Sequence, residues 1–394
     1  MEGHHLTRKR HRTLLPYIYA ANILLSFHYF LIVYINSSSL ERFFNENHVG
    51  FLFIAGAIMG LILLLTAPKI ITKVGVYRYL FTVIALECIA VLGLADATSA
   101  IATGFYFLLH NCLVPMILFC LDILLEGETV LEKNTGKIRS IFLTITNCIL
   151  VISPLITGFI LRYYSFSSLY FFSALFCIPL LLIVRTKLGG VGAKSLRKTH
   201  MLTSIQFATQ NKDLRNILAA QFILQFFYAW MVIYLPIYLI KEIGFGWQEL
   251  GFLFTIMLLP FALFEIPVGW LADNKFGEKE FMIFGFIVMA LASSVVAILN
   301  TPVFLFWAIL LFISRVGASF AEVTSESYFF KHVTGSDSDL ISIFRTTRPL
   351  AYITAPLIAT LTLFFIPIGA SFLILGSITF LGSVAAFHIT DTML

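Results

Sequence analysis

Apolar runs of about twenty residues follow one another along nearly the whole chain, broken only by short polar stretches. A helix needs roughly 20 mostly apolar residues to span the hydrocarbon of a bilayer. The pattern therefore predicts twelve transmembrane helices, over 14–36, 50–71, 77–95, 100–124, 139–161, 166–185, 214–240, 248–271, 280–299, 302–328, 341–365 and 368–388. The longest polar stretch is the centre, Thr186 to Asp213, too short for a separate soluble domain. The expected organisation is an N-terminal six-helix bundle over 1–185, a cytoplasmic central linker over 186–213 and a C-terminal six-helix bundle over 214–394.

The two halves repeat one another. Ile138–Ile156 in helix 5 matches Leu340–Ile358 in helix 11 at an offset of 202, with seven of nineteen positions identical, among them Ser-Ile-Phe at 140–142 and 342–344 and Pro-Leu-Ile at 154–156 and 356–358. Helix 1 matches helix 7 at an offset of 199: Ala21-Asn22 with Ala220-Gln221, Leu25-Ser26-Phe27 with Leu224-Gln225-Phe226, and Tyr29 with Tyr228. Lys73 and Gly75 likewise stand 202 residues before Lys275 and Gly277. Six helices per half start both halves on the same side, so the repeats are parallel about an axis along the membrane normal, an arrangement found among transporters.

Composition strengthens this picture. The chain is 59% hydrophobic and 12% charged, whereas a soluble domain is roughly 45–50% apolar and roughly 25% charged. Cys88, Cys112, Cys120, Cys148 and Cys177 all fall in apolar runs with no CxxC pair and no nearby histidine cluster, which predicts small core residues and no metal site. The basic start Arg8-Lys9-Arg10-His11-Arg12 resembles the charged region of a signal peptide, but the run after it is too long and has no small-residue cleavage site; a retained first helix is expected.

Charge sets the expected orientation, because basic residues of short loops stay on the cytoplasmic side. With the N-terminus inside, twenty lysines and arginines fall in cytoplasmic segments against Arg42, Arg162 and Lys241 outside, while Arg315, Arg345 and Arg348 lie within helices. Both termini are thus expected in the cytoplasm of a multi-pass protein of the cell (plasma or inner) membrane. The net charge of +5 then follows from topology and anionic lipid, and nucleic acid is not needed as a partner.

Gly269, Asp273, Gly277 and Lys279 fit the G-x-x-x-D-x-x-x-G-x-K/R loop pattern, and with twelve helices, cytoplasmic termini, a long centre and parallel halves the whole chain resembles the major facilitator superfamily. The glycines allow a tight turn and close helix approach, and Asp273 can accept from backbone amides. The sequence departs from the pattern where Asn274 replaces a common basic residue and where Ala67 and Ile71 stand for Gly and Asp in the first half, which implies a weaker or differently locked first-half gate. The resemblance implies that helices 1, 4, 7 and 10 line a cavity opening alternately to each side.

Ionisable groups inside a bilayer are costly and are functional candidates. On helix 10, Arg315, Ser319, Glu322 and Glu326 share one stripe. Arg315 and Glu322 are about 10 Å apart along the axis, so the partner of Arg315 must come from another helix, water or an anionic substrate. Glu322 and Glu326 lie at the depth of Arg345 and Arg348 on helix 11, as a structural or gating cluster, with Glu322 also a proton-coupling candidate. Helix 4 carries His110, Asn111, Pro115 and Asp122; His110 is a coupling or core residue, and Asp122 is expected to pair with Arg139. Glu87 stands in the middle of helix 3, which the resemblance places outside the cavity, and either turns inward to a partner or serves as a proton site. Asn22, Ser26 and Tyr29 on helix 1 match Gln221, Gln225 and Tyr228 on helix 7, as solute-facing groups or interhelical hydrogen bonds. Glu265 before Pro267 reads as structural.

The function expected is secondary active transport of a small solute by alternating access, proton-coupled, by a monomer without a cofactor. The absence of a G-x-x-x-x-G-K-[ST] motif removes ATP as the expected energy source. Export of amphipathic compounds and uptake of an organic anion or sugar both stay open. A membrane enzyme is the remote alternative, lacking DDxxD, H-E-x-x-H or G-x-S-x-G; a transporter-like receptor is another.

Overall fold

The computed structural model describes residues 14–129, 135–188, 201–332 and 338–390. Among the described residues, twelve long helices carry the fold: α1 (Leu15–Ile32), α2 (Glu46–Val74), α3 (Val76–Asp96), α4 (Ala100–Thr129), α5 (Thr135–Tyr163), α6 (Phe166–Lys187), α7 (Lys212–Lys241), α8 (Trp247–Leu271), α9 (Glu278–Ile298), α10 (Phe304–His332), α11 (Ser338–Leu363) and α12 (Ile368–Phe387). Eleven of them are long and apolar enough to cross a membrane. The other, α11, has 26 residues and is less apolar because it carries Arg345, Arg348 and several threonines.

Local chemistry fixes the helix ends. The Asn211 side chain accepts from the amides of Asp213 and Leu214 to start α7, and the Glu249 carboxylate accepts from the Gly246 amide at the start of α8; both satisfy amides that lack an intrahelical partner. Gly75, between α2 and α3, has φ 87°, and Gly277, between α8 and α9, has φ 80°. Only glycine adopts that region readily, so the 202-residue offset seen in sequence recurs as one backbone conformation at both places.

Two expectations change. The first helix does not run to residue 36: it stops at Ile32, turns, and resumes as a short helix, Asn36–Leu40. There Asn36 turns its amide to buried partners described below, and Ser37, Ser38 and Ser39 are buried. Within the stretch read as a linker, Met201–Gln210 forms a helix that packs on α7 and α11.

Packing divides the chain into two compact units, one of Met1–Phe43 and Ala55–Arg197 and the other of Phe44–Ile54 and Lys198–Leu394. In the first, α1 packs on α5 and α6, and α3 on α4 and α6; in the second, α7 packs on α11 and α12, and α9 on α10 and α12. The internal packing of the first unit is thus repeated in the second. Gly285 of α9 and Gly317 of α10 let backbones meet: a Cβ on Gly285 would lie 2.6 Å from the Gly317 carbonyl oxygen. Small residues serve this purpose where helices pack in lipid. Outward, large apolar side chains such as Ile101, Ile266 and Phe365 are almost fully exposed, a surface suited to lipid contact and not to water.

Candidate functional site

The first unit holds a sealed cluster of ionisable side chains. Glu87, twelve residues into α3, is 0% exposed, His28 on α1 is 0% and His110 on α4 is 2%. One carboxylate oxygen of Glu87, Oε1, lies 2.9 Å from His28 Nε2 and 2.5 Å from His110 Nδ1. The outer nitrogens are held as well. His28 Nδ1 lies 3.1 Å from the Ser173 carbonyl and 2.9 Å from Ser173 Oγ, and that hydroxyl donates to the His28 carbonyl at 2.7 Å. His110 Nε2 lies 3.3 Å from Asn36 Nδ2, and Asn36 Oδ1 accepts from the Tyr170 hydroxyl at 2.9 Å. The network ties α1, α3, α4, α6 and the short helix together. Glu87 Oε2 is buried without a hydrogen-bond partner.

The second unit carries a different constellation on α7, α10 and α11. Arg315, 2% exposed, lays its guanidinium 4.9 Å from the ring centre of Phe227 and 5.9 Å from that of Tyr228, within the range of cation–π attraction. The Tyr228 hydroxyl donates to Glu322 Oε2 at 2.7 Å. Ser325 Oγ donates to Gln221 Oε1 at 3.0 Å. Glu326 pairs with Arg345 at 2.8 Å in a half-exposed bridge, and Arg348 lies over the Tyr352 ring at 5.9 Å. By the 199-residue offset, Phe227 occupies the place of His28. At matching positions on α1 and α7, one unit has an imidazole against a carboxylate and the other a phenyl ring beneath a guanidinium.

Several other candidate residues bond between or within helices. Asn22 on α1 donates to the Phe142 carbonyl at 2.9 Å and to Thr146 Oγ1 at 3.0 Å on α5, and Ser26 donates to Asn22 Oδ1 at 3.4 Å. Ser319 donates to the Val316 carbonyl of its own helix. Tyr29 is half-buried beside Phe30, Gln225 is buried, and Asn111 packs under Gly56 of α2. Gly269 faces Val323 of α10. Ala272–Phe276 continues α8 as a π-helical turn, and Lys279 donates to the Ile389 carbonyl at 3.0 Å beyond α12. The side chains of Asp273 and Arg139 lie outside the described residues; Asp122 is exposed on α4.

The cysteine expectation needs correction in two respects. Cys148 is exposed, and Cys177 on α6 lies 3.4 Å from His28 Nδ1, because the fold lays α6 against α1. Sequence reasoning also passed over His28, Asn36, Tyr170, Ser173 and Glu278. His28 falls six residues after Asn22, about 240° around the helix, and so off the stripe that marked α1. A signal was present, since a lone carboxylate in mid-helix requires a buried partner. Glu278, fully buried at the start of α9, pairs with Lys331 and accepts from Ser327 Oγ at 2.9 Å.

His28, Glu87 and His110 are the described residues whose ligand atoms, all within 4.8 Å of one another, could surround a metal ion. Oε1 lies between the two nitrogens at hydrogen-bond distances.

Among curated proteins none matches the chain by sequence. Solved structures match it across its length. A nucleoside transporter, NupG, matches with a TM-score of 0.72 at 12% identity, covering 95% of this chain and 98% of its own. A POT family transporter in complex with 5-aminolevulinic acid matches with a TM-score of 0.76 at 12% identity, over 94% of each chain. Another, in complex with a thioalcohol conjugated peptide, matches with a TM-score of 0.74 at 13% identity, over 94% of each. The family model of the Major Facilitator Superfamily matches residues 217–392, which take in nearly all of α7 to α12. Twelve helices, the loop pattern from Gly269 to Lys279 and this match agree: the fold is that of the major facilitator superfamily, whose sequence model the second half of the chain matches.

Proposed function

We propose that this protein is a proton-coupled secondary active transporter that moves a small organic solute across the cell membrane by alternating access, working as a monomer with both termini in the cytoplasm. The observation that carries the coupling is the sealed contact of Glu87 with His28 and His110. A carboxylate and two imidazoles at membrane depth are costly to bury and are a common means of carrying protons through transporters. The orientation rests on the twenty-to-three excess of basic residues on one side.

The solute reading rests on Arg315. A guanidinium on two aromatic rings, with the Tyr228–Glu322 pair next to it, suits a solute with a carboxylate or phosphate group, because its planar fork recognises such groups bidentately. The aromatic walls supplied by Phe227, Tyr228 and Phe261 favour a second reading, export of amphipathic compounds. Purified protein in vesicles, challenged with organic anions, sugars, nucleosides and cationic amphipaths, separates the two. The anion reading predicts uptake of an organic anion that Arg315→Ala abolishes; amphipath movement unaffected by Arg315→Ala would replace it with the export reading. Turnover of a compound without its movement across the membrane would sink transport altogether.

A further inference from the structure

The hydrogen bonds around Glu87 allow its protons to be counted. The Ser173 carbonyl, 3.1 Å from His28 Nδ1, is an acceptor in any state, and the Ser173 hydroxyl, 2.9 Å from Nδ1, accepts there when it gives its own proton to the His28 carbonyl at 2.7 Å. Nδ1 of His28 therefore carries a proton. On the far side of the cluster, Asn36 Oδ1 receives the Tyr170 hydroxyl, which turns Nδ2 toward His110 Nε2. His110 thus accepts at Nε2 and carries its proton at Nδ1, where it donates to Glu87 Oε1 at 2.5 Å.

One contact remains, the 2.9 Å from His28 Nε2 to the same oxygen. A bare nitrogen facing a bare carboxylate would set two lone pairs against each other in a site closed to water. A proton between them makes the contact attractive and also removes the net negative charge that burial disfavours. The other titratable groups around the cluster are thiols and a phenol, Cys88 on α3, Cys112 on α4, and Cys177 and Tyr170 on α6, with the Arg42 guanidinium acting on the far, Tyr170 side and not on Glu87. The thiols and the phenol supply no cation to balance a carboxylate.

We propose that His28, Glu87 and His110 form a one-proton store in the first unit, with the proton held between His28 and Glu87, no net charge on the cluster, and His110 fixed as the neutral orienting partner. Release leaves a carboxylate and a neutral imidazole, with the proton passing to water, so it requires the cluster to open. Glu87 Oε2, buried and without a hydrogen-bond partner, is the acceptor that an entering water would meet first. Seal and proton are thus linked in one object, and the transporter reading gives that link its use, although the proton count itself does not depend on transport.

The test is nitrogen-15 NMR of histidine-labelled protein in lipid bilayers at neutral pH, paired with infrared spectra in the carboxylic acid region. His28→Gln identifies the His28 signals. Where that variant does not fold, carbon-13 serine labelling identifies them in the unaltered protein, because of the two histidines only His28 touches a serine. The expected result is a His28 ring with both nitrogens protonated, or a protonated carboxyl band that Glu87→Gln removes, together with a His110 ring protonated at Nδ1 alone. A neutral His28 ring with no such band, or a doubly protonated His110, would overturn the count. A positive spectrum from a protein that moves no solute would defeat the transport reading and leave the store standing; a negative spectrum from an active transporter would do the reverse.

Discussion

His28 and Glu87 stand 59 residues apart in sequence and 2.9 Å apart in the fold, with neither exposed. Their contact joins α1 to α3 inside the first unit. Removing one partner of a buried charged pair costs roughly 3–5 kcal/mol, because the other is left uncompensated. Glu87→Ala should therefore lower the thermal unfolding midpoint of the detergent-solubilised protein markedly. Adding His28→Gln to that background should recover part of the loss, a coupling that a double-mutant cycle reads directly. Additive effects of the two changes would show that the contact is not an interacting pair.

Arg315 should not be replaceable by lysine. An ammonium lacks the planar fork that stacks on Phe227 and Tyr228 and grips an oxyanion. Arg315→Lys is expected to lose organic-anion uptake by at least about tenfold, equivalent to about 1.4 kcal/mol, in vesicles where Arg345→Lys, at a half-exposed bridge worth about 0–1 kcal/mol, loses little. Equal uptake by Arg315→Lys and the unaltered protein would remove the guanidinium from recognition.

The α9–α10 contact is set by Gly285 and Gly317. A Cβ at either position would sit 2.6 Å from the other's carbonyl oxygen, and backbone cannot yield as a flexible side chain does. Gly285→Leu should cost at least the ~1–3 kcal/mol usual for overpacking, measured as a lower midpoint in thermal unfolding. An unchanged midpoint would mean that the helices can separate freely there.

Gly75 offers a cleaner case, since nothing lies within 4 Å of a Cβ placed on it. The cost of Gly75→Ala should be that of the positive-φ, extended-ψ backbone alone, ~1–3 kcal/mol. An unaltered unfolding midpoint would mean that the turn between α2 and α3 adopts another conformation.

The helices were legible because an apolar run of membrane length has few other uses, and the repeat was legible because the halves keep landmarks such as Pro154 and Pro356 in register. The Glu326–Arg345 bridge could be foreseen from two antiparallel neighbours bearing opposite charges at one depth. At Glu87 the need for a buried partner was legible, but not which residues supply it. His28 lies off the stripe that marked α1, and the break that frees Asn36 occurs inside an apolar run with no proline or glycine to announce it. Glu278 was hidden because a charged residue beside a loop glycine reads as a solvated helix start, whereas here α10 folds Ser327 and Lys331 over it.

The central claim is that proton movement accompanies solute movement and passes through Glu87. The most direct measurement is the internal pH of dye-loaded vesicles after addition of a transported solute, with the unaltered protein and with Glu87→Gln, beside exchange of labelled solute between the two sides. The account predicts a solute-driven pH change with the unaltered protein and none with Glu87→Gln, while Glu87→Gln still exchanges solute. Solute uptake without a pH change in the unaltered protein, or the same pH change in Glu87→Gln, would contradict it.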